Sequence, residues 1–221
     1  MFKRIDGILS PAALAELRRI AAAGPYLDGR VSNPHNTAKK NAILGDQQGR
    51  AASAKIMAEA LLAHEDFRNF AFPKVVAPPL ITTYRKDMAY GLHADAAFMP
   101  IGQRPLRSDL SCTIFLSELD SYDGGALRIV LGDTELSIRF PAGSAIVYPS
   151  NTMHEVTPVT RGERLVGLTF IESRIADPQQ REWLYELNEV AALEGLGMQP
   201  ENYGRLQRVQ ANLLRLWGDA G

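Results

Sequence analysis

The sequence predicts an α+β fold: helices first, an antiparallel sandwich or barrel of roughly eight strands in the middle, and helices last. Three observations carry that expectation. Two stretches before residue 72 combine helix caps or helical composition with helical spacing of apolar residues. From residue 80 to 173, short β-branched runs alternate with turn residues at regular spacing. After Asp177-Pro178 the apolar residues return to helical spacing. The 221 residues are read as a single domain, long enough for a full core. Within it, residues 1–72 are expected to be a mainly helical N-terminal part, 73–174 the β core and 175–221 the C-terminal helices.

In chain order, Ser10 reads as an N-cap and Pro11 as the first helical residue, where a missing N–H costs nothing. Leu14, Leu17 and Ile20 share a face, and Gly24-Pro25 ends the helix. Residues 26–44 carry turn residues and little periodicity; they read as loop and short strand, with His35 as an exposed or capping side chain. Residues 46–63 have helical composition, with Ile56, Ala60 and Ala63 as the expected buried face. His64 follows, near the negative end of that helix dipole. Pro73, Pro78 and Pro79 then break the chain. Strands are expected at 80–84, 111–119, 126–131, 134–140, 144–149, 154–159 and 164–173. The turns between them fall at Asp123-Gly124-Gly125, Gly132-Asp133, Pro141-Ala142-Gly143 and Arg161-Gly162-Glu163. In the last part, Trp183, Leu184, Leu187 and Val190, then Leu206, Val209, Leu213 and Leu216, form two apolar stripes too large to leave in water. They are expected to pack on the sandwich and the N-terminal helices, with a homodimer face as the alternative.

Composition excludes several classes. Hydrophobic content of 46% and charged content of 22% are those of a soluble globular protein. A net charge of −1 gives no electrostatic reason to expect nucleic acid or an acidic membrane surface. No run approaches the roughly 20 apolar residues of a membrane span, and the N-terminal stretch lacks a long apolar segment. Cys112 is the single cysteine, which excludes an intramolecular disulfide and fits a reducing compartment, so a cytoplasmic location is expected. It reads as a buried small hydrophobe, since nothing nearby in sequence lowers its pKa.

The chemistry-bearing stretch is His93-Ala94-Asp95. If extended, it turns the imidazole and the carboxylate to one face, because strand side chains alternate with period two. A second imidazole, His154, opens a later strand beside a loop, where a rigid sheet holds it within reach of solvent. Two His and one carboxylate on one side of a metal leave open positions, as in non-haem Fe(II) oxygenases. Arg164 alternates with Val166, Leu168 and Phe170, which points it into the sandwich. A buried guanidinium is costly unless an anion accepts its donors, and that anion is either a protein carboxylate or a bound acid.

With that spacing, the chain resembles the Fe(II)/2-oxoglutarate-dependent dioxygenases, and within them the bacterial PKHD-type hydroxylases, relatives of the prolyl and lysyl hydroxylase catalytic domain. The carrying stretches are YGLHAD (90–95), RSDLSCTIFLS (107–117), YDGGALRI (122–129), FPAGSAIVYPSNTMHEVTPVTRGER (140–164) and LQRVQANLLRLW (206–217). The resemblance implies a double-stranded β-helix, a jelly-roll sandwich. It implies His93, Asp95 and His154 as ligands of Fe(II), Arg164 on the distal carboxylate of 2-oxoglutarate and Tyr84 hydrogen-bonded to the same carboxylate. Thr113, Phe115 and Leu127 would line that pocket. The implied reaction takes O₂ and 2-oxoglutarate to succinate and CO₂ while hydroxylating an unactivated C–H, with L-ascorbate as a candidate auxiliary. HADAA stands where HVDNA is usual in the family, beside the open face of the metal, and Asp95 separates the chain from halogenases, which carry a small residue there. An amino-acid side chain, a free amino acid and a small metabolite are all open as substrate. Oxidative N-demethylation by the same centre and a non-catalytic cupin-like metal-binding or iron-sensing module are the rival readings.

Overall fold

The computed structural model describes residues 1–32, 37–101 and 104–219; His35 lies outside them. Its α-helices are α1 (Pro11–Ala23), α2 (Gln47–Ala63), α3 (Glu65–Ala71), α4 (Pro178–Glu194) and α5 (Pro200–Trp217). The strands of the first half are β1 (Lys3–Ile5), β2 (Tyr26–Asp28), β3 (Lys39–Lys40), β4 (Ala42–Leu44), β5 (Pro73–Val76), β6 (Leu80–Arg85), β7 (Ala89–His93) and β8 (Phe98–Ile101). Those of the second half are β9 (Arg104–Arg107), β10 (Leu110–Phe115), β11 (Tyr122–Gly124), β12 (Leu127–Leu131), β13 (Thr134–Ile138), β14 (Ala145–Pro149), β15 (Met153–Val156) and β16 (Val159–Ser173).

The larger sheet runs β1-β14-β10-β16-β6-β4-β2, with β5 and β11 also pairing with β16. The smaller runs β13-β12-β15-β7-β3, and β8-β9 is a separate hairpin. All the named pairings are antiparallel. This is the expected jelly-roll sandwich with helices before and after it.

Period-two alternation gives the larger sheet two apolar faces. Leu110, Cys112, Ile114 and Val147 pack with Leu17 and Ile20 of α1 and Met57 and Leu61 of α2. Phe115, Ile146, Tyr148 and Val166 pack instead with Leu127, Ile129, Ile138 and Val156 of the smaller sheet. Gly167 sits under α2: a Cβ there would lie 2.3 Å from the Met57 sulfur, so the missing side chain sets how closely helix and sheet approach. Ser10 caps α1 as expected, and Asp46 and Asp177 cap α2 and α4 in the same way. Ser10 Oγ accepts the Ala13 N–H at 3.2 Å, Asp46 the Gly49 N–H at 2.6 Å and Asp177 the Gln180 N–H at 2.8 Å. Each such cap stabilises its helix by about 1 kcal/mol.

Five expectations are corrected. The buried face of α2 is Gly49, Ser53, Met57 and Leu61, whereas Ile56 and Ala60 are half-buried and Ala63 is exposed. Small Gly and Ser hid that face from an apolar-spacing argument. Arg161-Gly162-Glu163 is no turn but part of the continuous β16, paired with β11 on one side and β6 on the other. Gly162 takes φ +71°, and a Cβ there would meet the Ser121 carbonyl at 2.1 Å; nor does the chain reverse earlier, because the β12–β15 pairing continues through Ala126–Thr157 and Gly125–Pro158 into β11–β16. Asp123-Gly124 likewise belongs to β11 rather than to a hairpin turn. Finally, α5 buries no residue and rests on α4, with Val209 and Leu216 exposed. The stripe on α4 is also shifted: Leu184 and Tyr185 are buried, Tyr185 edge-on to Phe70 of α3 at 5.3 Å, while Trp183 and Val190 are exposed. No described helix is long and apolar enough to cross a membrane.

Candidate metal centre

β7 and β15 are antiparallel neighbours in the smaller sheet, and their register sets His93 opposite His154 with ring centres 4.3 Å apart. β7 ends at His93, so Asp95 is not on the strand face but on the link that follows it. Its backbone N–H donates to the Ser150 carbonyl at 3.0 Å, which turns the carboxylate back toward the two rings. Asp95 Oδ1 lies 3.8 Å from His93 Nε2, and Oδ2 lies 3.8 Å from His154 Nε2. One ligand atom from each of the three residues falls within 4.8 Å of the others.

Both imidazoles are oriented from behind. His93 Nδ1 lies 2.7 Å from the Gly91 carbonyl, and His154 Nδ1 lies 2.9 Å from that of Thr152. A carbonyl accepts only, so each Nδ1 carries the proton and each Nε2 presents a lone pair. Burial, and then the neighbouring His154, push the His93 pKa below its ordinary value, which favours the neutral form a metal requires. Tyr90 stacks on His93 at 3.7 Å, and Tyr148 meets His154 edge-on at 5.2 Å.

Arg164 is 1% exposed, and its Nε and Nη1 have no hydrogen-bond partner among the described residues. It lies opposite Tyr84 in the β16–β6 register, its guanidinium carbon 5.0 Å from the Tyr84 ring centre. The Tyr84 oxygen accepts from Asn41 Nδ2 at 2.9 Å, which leaves its own hydrogen to donate elsewhere. Burial raises the pKa of Tyr84, so it remains a donor. Phe115 and Leu127 pack in the same inter-sheet layer, and buried Thr113 of β10 lies two positions before Phe115. Tyr148, kept protonated by burial and then by Asp95, lies beside His154 and shares the inter-sheet layer with Tyr84. His93, Asp95 and His154 thus come together in one cluster, and Arg164 and Tyr84 face each other across β16 and β6. Tyr90, Tyr148, Asn41 and Ser111 were not foreseen, although the alternation of SCTIF and AIVYP already put Ser111 and Tyr148 on the inter-sheet face.

Two neutral imidazoles and a carboxylate match the donor set of an Fe(II) facial triad. Two unpaired buried guanidinium nitrogens call for an anion of about the size of a carboxylate. The residues therefore fit both iron and a dicarboxylate.

Residues 79–172 match the model of the 2OG-Fe(II) oxygenase superfamily. The chain is 53% identical over 217 residues to a PKHD-type hydroxylase of Sphingopyxis alaskensis, covering 98% of this chain and 99% of that relative. It is 36% identical over 224 residues to one of Thermosynechococcus vestitus, covering 99% and 100%. Among solved structures, it resembles a Trichoplax adhaerens prolyl hydroxylase in complex with a hypoxia inducible factor peptide fragment, with TM-score 0.60, 14% identity and coverage of 83% and 86%. It also resembles HygX of Streptomyces hygroscopicus with nickel, 2-oxoglutarate and hygromycin B bound, with TM-score 0.54, 16% identity and coverage of 76% and 81%. At those identities the structures speak for the fold, while the near full-length relatives speak for the family. The chain belongs to the PKHD-type hydroxylases of the 2OG-Fe(II) oxygenase superfamily and is an Fe(II)- and 2-oxoglutarate-dependent hydroxylase.

Proposed function

We propose that the chain hydroxylates an unactivated C–H of an amino-acid side chain, a free amino acid or a small metabolite, with release of succinate and CO₂. The observation that carries the reading is the convergence of His93, Asp95 and His154 to within 4.8 Å. His93 and His154 hold the iron through Nε2, and Asp95 holds it through its carboxylate. Arg164 would bind the far carboxylate of 2-oxoglutarate, and Tyr84 would donate a hydrogen bond to it. Iron and 2-oxoglutarate supply the oxidising chemistry; the protein supplies orientation and access. The carbonyls of Gly91 and Thr152 keep the imidazoles in the ligating tautomer. Phe115, Leu127 and Val166 keep water from the buried guanidinium, which strengthens its hold on an anion.

The test is a screen of candidate metabolites and peptides with the iron-loaded chain, reading succinate against added substrate. Substrate-stimulated succinate with oxygen retained in the product supports hydroxylation. Formaldehyde release would instead assign N-demethylation, and metal binding without any stimulated turnover would assign a sensor.

A further inference from the structure

Asp95 has no strand to hold it, yet its carboxylate is fixed from the opposite sheet. Ser111 of β10 donates from Oγ to Asp95 Oδ2 at 2.6 Å. Ser111 Oγ is also 2.8 Å from Ser150 Oγ, and Ser108 Oγ donates to Ser150 Oγ at 2.8 Å. All three serines are buried. Each hydroxyl has one hydrogen, and an ionised carboxylate only accepts. The Ser111 hydrogen is therefore spent on Asp95, so between Ser111 and Ser150 the donor must be Ser150. The direction of the whole chain follows: Ser108 to Ser150 to Ser111 to Asp95. Aligned donors of this kind polarise one another and strengthen the last bond.

We propose that Ser111, backed by Ser150 and Ser108, is a positioning residue that occupies Asp95 Oδ2 and leaves Oδ1 as the ligand oxygen. This rests on the assignment of His93, Asp95 and His154 to the metal. The relay crosses from the larger sheet to the link after β7 and is the means by which a loop carboxylate acquires the fixed geometry of a strand residue. Without it the carboxylate swings about its own bond or turns both oxygens to the metal, closing a position that a co-substrate needs.

The experiment is an anaerobic titration of the metal-free full chain with Co(II) alone, together with thermal unfolding of each metal-free variant. Losing an outer partner of a ligand weakens metal binding about 10- to 100-fold, which is the change expected for Ser111→Ala. Ser111→Thr, which keeps the hydroxyl, is expected to restore most of it. Ser150→Ala removes the donor behind Ser111 and is expected to give a smaller loss in the same direction. If Ser111→Ala does not fold, a wild-type titration of folded Ser150→Ala overturns the relay. Wild-type Co(II) affinity in folded Ser111→Ala, with binding lost in Asp95→Ala, overturns the positioning role and leaves the metal centre standing. Wild-type affinity in Asp95→Ala overturns the metal assignment itself, and this inference with it.

Discussion

Arg164 and Tyr84 face each other in register across β16 and β6, with the guanidinium carbon 5.0 Å from the phenol ring centre. A ring face offers a cation about 0.5–2 kcal/mol, too little to offset removing a full charge from water. Nε and Nη1 are left for a ligand, and no described carboxylate pairs with this arginine. Removing one partner of a buried charge pair costs about 2–5 kcal/mol, so Arg164→Ala should weaken 2-oxoglutarate binding about 30- to 4,000-fold. Lys should recover only part of that, since an ammonium lacks the planar fork. The check is an anaerobic 2-oxoglutarate titration of the iron-loaded variants; a wild-type curve for Arg164→Ala would remove it from the site.

Acid should act on the metal-free chain through His93. Its folded pKa lies below the ordinary value of 6.5, chiefly through burial and then through His154. Below about 6.5 the unfolded chain therefore takes up a proton that the folded chain resists. The stabilisation is complete above that pH and is lost as pH falls through the folded pKa. Urea midpoints of metal-free protein should drop between pH 7.5 and 5.5, and His93→Gln should flatten the drop. Bound metal opposes protonation, and its affinity should fall over the same range. An equal pH slope in the variant would assign the effect to other groups.

The two C-terminal helices should differ sharply in their effect on stability. Leu184 of α4 is fully buried, and truncating such a leucine costs about 2–5 kcal/mol. Leu216 of α5 is 75% exposed, and its replacement by Ala should change stability by no more than about 0.5 kcal/mol. Ending the chain before Asp177 strips α4 from α3 and should give an insoluble or much weakened protein. Chemical unfolding of the two point variants checks the contrast; equal losses would mean that α5 is buried in solution.

Cys112 should be inert in the folded protein. It is buried in the layer under the helices, and burial raises its thiol pKa. An aromatic disulfide reagent should label it only in denaturant, at the unfolding rate. Rapid native labelling would contradict the packing.

The metal residues were legible because motif spacing and the strand-end position of His154 survive without knowledge of pairing. That His93 meets His154 ring to ring depends on the β7–β15 register, which local sequence does not encode. Asp95 shows the limit in another way. Strand alternation put it beside His93, and it does arrive there, but by a loop tied to Ser150 rather than by the pleat. Ser111 and Asn41 were invisible as site residues because their partners, Asp95 and Tyr84, are 16 and 43 positions away in sequence. The stripe of α5 misled because amphipathicity reports a face that wants cover, not how much cover it receives. In α2 the opposite held: a real contact face carried Gly49 and Ser53 and so looked polar.

His93 and His154 sit on the smaller sheet and Arg164 on the larger, so the two halves of the site are carried by different layers. A molecule held at both ends would act as a rivet through the sandwich, resisting shear between the sheets. Its concentration then becomes a term in folding: at a hundredfold excess over Kd, a ligand specific for the folded chain adds about 2.7 kcal/mol. Abundance of the folded protein in a cell would follow the supply of its own co-substrate, since chains emptied of it are the ones that open for proteolysis.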